Sequence, residues 1–187
     1  MTTAYHADSS ELAEKEVLTW ERFGSACREL ATDVVHSGFA PEILIAVARG
    51  GLLPGGALSY ALGVKLTDAI NVEFYTDVHE TLPDPVLLAP LLDTESIKNR
   101  RLLVVDDVAD SGRTLALVLD LLREHGAECR SAVLYCKSAS EVAPDFVWRK
   151  TDQWIVFPWS DEPPRDRHRP RRRCTASSRL THPAHQA

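Results

Sequence analysis

The alternation of apolar and polar positions predicts strands that alternate with helices in the first half of the chain. Apolar residues recur at helical spacing over Glu21–Val35, which predicts a helix with one buried face. Ile43–Val47 is a short continuous apolar run, as in a buried parallel strand. Leu52–Leu62 predicts the next helix, and a second strand is predicted over Ile70–Tyr75.

The second half repeats this order after a long interruption. Three prolines break the pattern within Thr76–Arg100, which predicts a long mobile loop of the kind that covers binding sites. Arg101–Asp106 and Ser131–Cys136 then predict strands. Thr114–His125 predicts the helix between them, ending at Gly126. We therefore expect an α/β domain with a mainly parallel, twisted sheet flanked by helices.

Length and composition favour one soluble globular domain. The 187 residues are 44% hydrophobic and 26% charged, typical of one domain with a sizeable core. No apolar run approaches the roughly 20 residues that span a bilayer. Met1–Lys15 lacks the basic start and apolar middle of a secretory signal. We expect a cytoplasmic location. The four cysteines show no Cys-x-x-Cys spacing and indicate neither zinc nor disulfides.

Charge is distributed unevenly and divides the chain into three parts. Residues 161–187 hold seven Arg and three acidic residues, a local charge of +4. The net charge of the whole chain is -6, so residues 1–160 carry a charge of -10. An acidic body argues against nucleic acid as a partner, because phosphate contacts need a basic face. We predict a polar N-terminal extension at 1–15, a folded domain at 16–160 and a disordered, basic, Pro/Arg-rich tail at 161–187.

Candidate chemistry follows three of the predicted strands. Arg49-Gly50-Gly51 comes after the first strand, Asp106–Thr114 after the strand beginning at Arg101, and Lys137 after Cys136. Ligands of α/β sheets bind beyond the carboxyl ends of the strands. The three features are therefore expected to lie together in one site.

The segment Asp110-Ser-Gly-Arg-Thr114 predicts an anion site. It joins a strand to a helix, so its backbone N–H groups and the helix N-terminus point outward. Gly112 allows a close approach to the backbone, while Ser111 and Thr114 add hydroxyl donors. The Gly-x-x-x-x-Gly-Lys-Ser/Thr pattern of a Walker loop is absent. These features suit a phosphate monoester.

Asp106 and Asp107 directly precede this anion site. Carboxylates accept hydrogen bonds from vicinal ribose hydroxyls but repel a bare polyphosphate. A divalent cation resolves that conflict, and oxygen-rich, partly hydrated coordination favours magnesium. Two other readings are an acidic N-cap and an acidic pocket like that of response regulators.

Together, Leu102-Leu-Val-Val-Asp-Asp-Val-Ala-Asp-Ser-Gly-Arg-Thr114 resembles the phosphoribosyl-pyrophosphate signature of type I phosphoribosyltransferases. The resemblance extends from about Val17 to Trp159 and is strongest to bacterial and archaeal xanthine–guanine and hypoxanthine phosphoribosyltransferases. It implies the type I phosphoribosyltransferase fold with a small C-terminal hood, and a homo-oligomer.

The resemblance also implies roles for the residues at the strand ends. Asp106 and Asp107 would hold the ribose diol, directly or through Mg²⁺, and Ala109–Thr114 the 5-phosphate. Arg49-Gly50-Gly51 resembles the pyrophosphate loop, in which a non-proline cis peptide precedes the basic residue. The full set assigned to the donor is Arg49, Gly50, Gly51, Asp106, Asp107, Val108, Ala109, Asp110, Ser111, Gly112, Arg113 and Thr114.

The base site would come from the C-terminal third. Lys137 matches the lysine that meets the exocyclic oxygen of a 6-oxopurine, and Asp152-Gln-Trp-Ile-Val-Phe-Pro-Trp159 resembles the hood. Trp154 would stack on the purine, and the Ile155 backbone would read its edge. Apart from the resemblance, Lys137 reads as a surface lysine and the hood aromatics as core residues, the reading we keep for Trp159.

The implied reaction is purine salvage: phosphoribosyl pyrophosphate and guanine, xanthine or hypoxanthine give a nucleotide and pyrophosphate. Asp110 would act as general base on the purine, with Mg²⁺ as cofactor. Three alternatives stay open: a non-catalytic regulatory protein that binds phosphoribosyl pyrophosphate or a nucleotide, a phosphoribosyltransferase for another base, and an adaptor protein with a disordered tail and a vestigial site.

Overall fold

The computed structural model describes residues 15–73, 76–77, 80–81, 86–87 and 94–163. The predicted extension, apart from Lys15, and the tail beyond Pro163 lie outside the described residues, so their expected properties stay predictions. The strands are β1 (Lys15–Val17), β2 (Ile43–Ala48), β3 (Leu66–Glu73), β4 (Thr76–Asp77), β5 (Glu80–Thr81), β6 (Val86–Leu87), β7 (Arg101–Ala109), β8 (Glu128–Cys136), β9 (Phe146–Lys150) and β10 (Trp154–Val156). The helices are α1 (Trp20–His36), α2 (Leu52–Leu62), α3 (Thr94–Ile97) and α4 (Arg113–Glu124).

A six-stranded sheet in the order β6-β3-β2-β7-β8-β9 forms the centre of the fold. Five of its strands are parallel, and β6 is antiparallel to β3 at the edge. Two small sheets accompany it, a parallel pair of β1 with β10 and an antiparallel pair of β4 with β5. The predicted α/β class with a mainly parallel sheet is confirmed.

Alternating side chains of the strands build a core on each face of the sheet. Leu44 and Leu103 point to the face covered by α1 and α2. Ile45 and Val104, one residue further along each strand, point to the face covered by α4. Because both faces are covered, these strands are apolar at nearly every position. That is why a continuous apolar run correctly predicted them.

All four predicted strands are longer in the structure, and two of them show the reason. The strand predicted over Ile70–Tyr75 begins at Leu66 and ends at Glu73, because Thr67 and Asp68 pair in register with β2 although they are polar. The strand predicted to end at Asp106 continues to Ala109. Val108 and Ala109 stay paired with β8, so the strand pairing continues beyond the end of the apolar run.

The single loop predicted over Thr76–Arg100 is wrong for the part of it that the structure describes. That part holds the short strands β4, β5 and β6 and the helix α3. Ile97 of α3 is only 1% exposed and belongs to the core on the α4 side of the sheet. Isolated pairs of strand residues carry too little periodic signal to be read from a sequence. Within the described residues, no helix combines the length and apolarity needed to cross a membrane.

Candidate active site

The three strand ends meet at one edge of the sheet. β2, β7 and β8 are neighbours, and all three run parallel. Arg49 therefore follows β2, Asp110 follows β7 and Lys137 follows β8 on the same side of the molecule. The predicted convergence of these residues is confirmed by the topology.

The 49–51 loop turns tightly against β7. The peptide bond between Ala48 and Arg49 is cis, as the resemblance implies. The Gly51 N–H donates to the Val47 carbonyl at 2.8 Å. A Cβ on Gly51 would collide with backbone atoms of Val47 and Val105. A Cβ on Gly50 would overlap the Asp107 carboxylate. The loop thus brings its backbone directly against Asp107.

Asp106 and Asp107 have different surroundings although they are adjacent. Asp106 is 9% exposed, and its Oδ1 accepts a hydrogen bond from the Asp107 N–H at 2.8 Å. Asp107 is half-buried beside Gly50. Burial, followed by the charge of Asp107, raises the pKa of Asp106 well above its usual range. Burial also raises the pKa of Asp107. Both carboxylates would gain from a nearby positive charge or from hydroxyl donors.

This pair fits a magnesium ion that takes most of its ligands from substrate and water. Among the described residues, no group of three or more His, Cys, Asp or Glu is arranged to hold a metal. Mg²⁺ commonly uses one or two carboxylates together with substrate phosphates and waters. Asp106 and Asp107 can supply that number, directly or through the ribose hydroxyls.

The 109–114 loop joins β7 to α4 and opens at a helix N-terminus. Gly112 is the N-cap of α4 with φ +81°, and it has no side-chain cap hydrogen bond. The Arg113 N–H lies 3.4 Å from Ser111 Oγ. Amides at such a helix end are well placed for an anion. Asp110 and Ser111 are exposed, so both are accessible to a ligand.

A second loop, Ser138–Val142, supports the 109–114 loop from outside. The Glu141 N–H donates to the Ser111 carbonyl at 2.9 Å, and the Glu141 carboxylate lies 3.6 Å from the Arg113 guanidinium. A Cβ on Gly112 would lie 2.5 Å from Ser140 Oγ and 2.9 Å from the Val142 nitrogen. No motif in 138–142 predicted this contact, since it depends on how the two loops pack.

The hood, residues 152–159, lies next to Lys137. The Lys137 ammonium donates to the Gln153 carbonyl, and the Lys137 N–H donates to the Ala109 carbonyl at 3.0 Å. The side chain of Trp154 is 73% exposed, and Ile155 is half-buried. Lys137 therefore joins the 109–114 loop through its backbone and the hood through its side chain, at the residue before Trp154.

Asp152 fixes the start of the hood. Its Oδ1 accepts hydrogen bonds from the Ser138 N–H at 2.9 Å and the Ser138 hydroxyl at 2.8 Å. These bonds, with the positive charge of Lys137, hold the pKa of Asp152 below its usual range.

Trp159 stacks on Phe157 with ring centroids 4.8 Å apart and packs on the core. Its reading as a core aromatic is confirmed.

Comparison with known proteins agrees with this geometry. The profile of the family described as "Phosphoribosyl transferase domain" matches residues 13–163. The chain is 35% identical over 144 residues to a xanthine-guanine phosphoribosyltransferase of Idiomarina loihiensis, covering 76% of this chain and 84% of that protein. A xanthine-guanine phosphoribosyltransferase of Vibrio parahaemolyticus is 33% identical over 150 residues, covering 79% and 90%.

Solved structures are similar as well. The purine phosphoribosyltransferase of Pyrococcus horikoshii is 35% identical with a TM-score of 0.70, over 82% of this chain and 98% of that chain. The xanthine-guanine-hypoxanthine phosphoribosyltransferase of Helicobacter pylori is 26% identical with a TM-score of 0.67, over 78% and 93%. With the paired acids, the open helix N-terminus and the 49–51 loop at one sheet edge, these similarities show that the chain belongs to the phosphoribosyltransferase family of enzymes.

Proposed function

We propose that this enzyme transfers the 5-phosphoribosyl group from phosphoribosyl pyrophosphate to a 6-oxopurine in purine salvage, with release of pyrophosphate. The observation that carries the proposal is the position of Lys137, whose N–H bonds to the loop that follows the paired acids and whose ammonium bonds to the residue before Trp154. The names of the relatives from Idiomarina loihiensis and Pyrococcus horikoshii support a purine as the acceptor.

The donor would lie across the strand ends. Backbone N–H groups and hydroxyls of the 109–114 loop would bind the 5-phosphate, because a helix N-terminus favours an anion. Asp106 and Asp107 would accept hydrogen bonds from the ribose hydroxyls. The 49–51 loop would bind the pyrophosphate through backbone donors and Arg49. Mg²⁺, when bound at the acidic pair, would neutralise part of the donor's charge.

Asp110 is the proposed general base. Its exposed carboxylate follows β7 directly, and the carbonyl of the preceding Ala109 accepts the Lys137 N–H. Bond formation at the anomeric carbon develops positive charge on the ribose, as in glycoside chemistry. The purine must lose a proton as its nitrogen becomes bonded to that carbon. Asp110 would accept this proton from N7 of the purine.

The base would lie between Trp154 and the strand edge. Stacking on the exposed indole suits any purine, whereas an ammonium donor at Lys137 favours an oxo group over an amino group. The backbone of Ile155 would bind the edge of the ring. Adenine would place an amine, which is a donor, against this donor. A 6-oxopurine therefore fits better than adenine.

The assay that tests the proposal measures pyrophosphate release with phosphoribosyl pyrophosphate and Mg²⁺ against a panel of bases. We expect turnover with at least one of guanine, xanthine and hypoxanthine. Turnover with adenine should be at least about 100-fold lower, because its amino group would place a donor against the Lys137 ammonium. Uracil and orotate should also be turned over less, because a single ring offers less area for stacking on Trp154. No turnover with any base, together with tight donor binding, would contradict the proposal and support a regulatory protein.

A further inference from the structure

The hood strand is attached to the protein through a small sheet of its own. β10 pairs in parallel with β1, and the described residues include no pairing of β10 with the six-stranded sheet. Lys15, Glu16 and Val17 lie opposite Trp154, Ile155 and Val156. The Leu18 N–H adds a hydrogen bond to the Val156 carbonyl at 3.0 Å. β1 is therefore the strand that holds the 154–156 backbone, between the Asp152 bonds at the start of the hood and the packed Phe157 ring at its end.

Glu16 connects β1 to the main sheet. Its Oε1 accepts a hydrogen bond from the Arg149 guanidinium of β9 at 2.7 Å and from the Tyr135 hydroxyl of β8 at 3.2 Å. The Arg22 guanidinium of α1 lies 3.7 Å from the same oxygen. One carboxylate thus contacts three elements of the domain body. It does so from the strand residue that lies opposite Ile155.

The burial of this cluster makes its geometry well defined. Tyr135 is completely buried, and Glu16 is 15% exposed. Burial, with the nearby Glu16 carboxylate, raises the pKa of Tyr135, so its hydroxyl stays a donor. Replacing Glu16 by alanine would leave the buried Tyr135 hydroxyl without this acceptor. The Tyr135 ring would still pack against Phe157 of the hood, with centroids 5.9 Å apart.

We propose that Glu16 is a positioning residue for the purine: it holds β1, and through β1 the Trp154–Val156 backbone, at the distance from the strand edge that the base requires. This inference rests on the proposed function, because it assigns Ile155 and Trp154 to base binding. Glu16 itself does not touch the substrate. Its effect reaches the site through one strand pairing.

The kinetic test compares three variants with the whole enzyme, using whichever 6-oxopurine gives the highest turnover. In Glu16→Ala the KM for the base rises about 10-fold, the scale of one well-aligned hydrogen bond, while the KM for phosphoribosyl pyrophosphate stays within about twofold. Glu16→Gln keeps an oxygen acceptor and recovers most of the base KM. Glu42→Ala removes a carboxylate that also contacts two arginines, Arg100 and Arg101, at the start of β7, and it leaves both KM values unchanged.

A purely structural role would give a different result. If Glu16→Ala lowers the melting temperature but leaves the base KM unchanged, or raises both KM values equally, the proposal is wrong. The double variant Glu16→Ala/Tyr135→Phe provides a further check. Its base KM should equal that of Glu16→Ala, because the two residues act through one contact. Independent, additive increases would contradict the inference.

A second measurement separates this inference from the proposed function. Hydrogen exchange of the backbone amides in 15–18 and 154–157 should be at least about 10-fold faster in Glu16→Ala, with no change in β2 and β7, because the small sheet loses its attachment. This holds even if no base is turned over, which would refute the proposed function alone. Unchanged exchange in both segments would refute the positioning role whatever the activity.

Discussion

Gly50 and Gly51 are adjacent, yet an added methyl group should affect substrate kinetics at Gly50 and protein stability at Gly51. Neither glycine has a positive φ, so alanine is compatible with the backbone conformation at both. What differs is the neighbouring atoms. At Gly50 the new Cβ meets the Asp107 carboxylate, while at Gly51 it meets the Val105 carbonyl and the backbone of Val47.

The sizes of the two effects follow from what can move. A carboxylate can rotate away, so Gly50→Ala should change the free energy of unfolding by less than about 1 kcal/mol. The displaced Asp107 would lose its alignment with the donor ribose, and one charge-assisted hydrogen bond corresponds to about 10–100-fold in kcat/KM for phosphoribosyl pyrophosphate. Strand backbone cannot rotate away. Gly51→Ala should therefore destabilise the protein by about 1–3 kcal/mol or more.

The assay pairs thermal unfolding with steady-state kinetics. For a chain of this length, each 1 kcal/mol lowers the melting temperature by about 2–4 °C, so Gly51→Ala should melt about 2–12 °C below the wild type. Gly24→Ala is the control, because Gly24 lies within α1 with no atom within 4 Å of an added Cβ. It should gain up to about 1 kcal/mol. A Gly50→Ala protein with normal donor kinetics would refute the placement of Asp107 against the donor.

Three further predictions concern the acids and the hood. Asp110→Asn should keep donor binding but lower turnover at least about 100-fold, as expected when a general base is lost; near-normal single-turnover rates would reject that role. Trp154→Ala should raise the base KM by about 5–10-fold through lost stacking, at the scale of an aromatic pair. Tyr60→Ala removes another exposed aromatic side chain, on α2, and should leave the base KM unchanged; equal effects would exclude stacking. Burial raises the pKa of Asp106, so the ligand-free folded protein binds the Asp106 proton more tightly than the unfolded chain does. The free energy of unfolding should therefore fall as pH rises through the folded-state pKa of Asp106. Urea titrations over pH should show this fall flattened in Asp106→Asn, and identical curves would contradict the burial of that carboxylate.

The hood shows which residues a local sequence pattern can identify and which it cannot. Trp154 and Ile155 could be picked out by their resemblance to the family's hood, since the residues that carry it are contiguous. Glu16 could not, because its partners Tyr135 and Arg149 lie 119 and 133 positions away. No spacing along the chain encodes a contact of that kind. It arises only when β1 pairs with β10 beside the main sheet.

The chain by itself determined the alternating elements and the segment Leu102–Thr114, because periodicity and turn chemistry act between residues close in sequence. It also determined that the candidate residues share one edge, since parallel neighbouring strands end on the same side. Only the tertiary structure decided that Asp106 is buried while Asp107 lies against Gly50, and that residues 138–142 pack on Gly112. Such differences depend on which distant atoms exclude water from a group, and that is fixed when the elements pack.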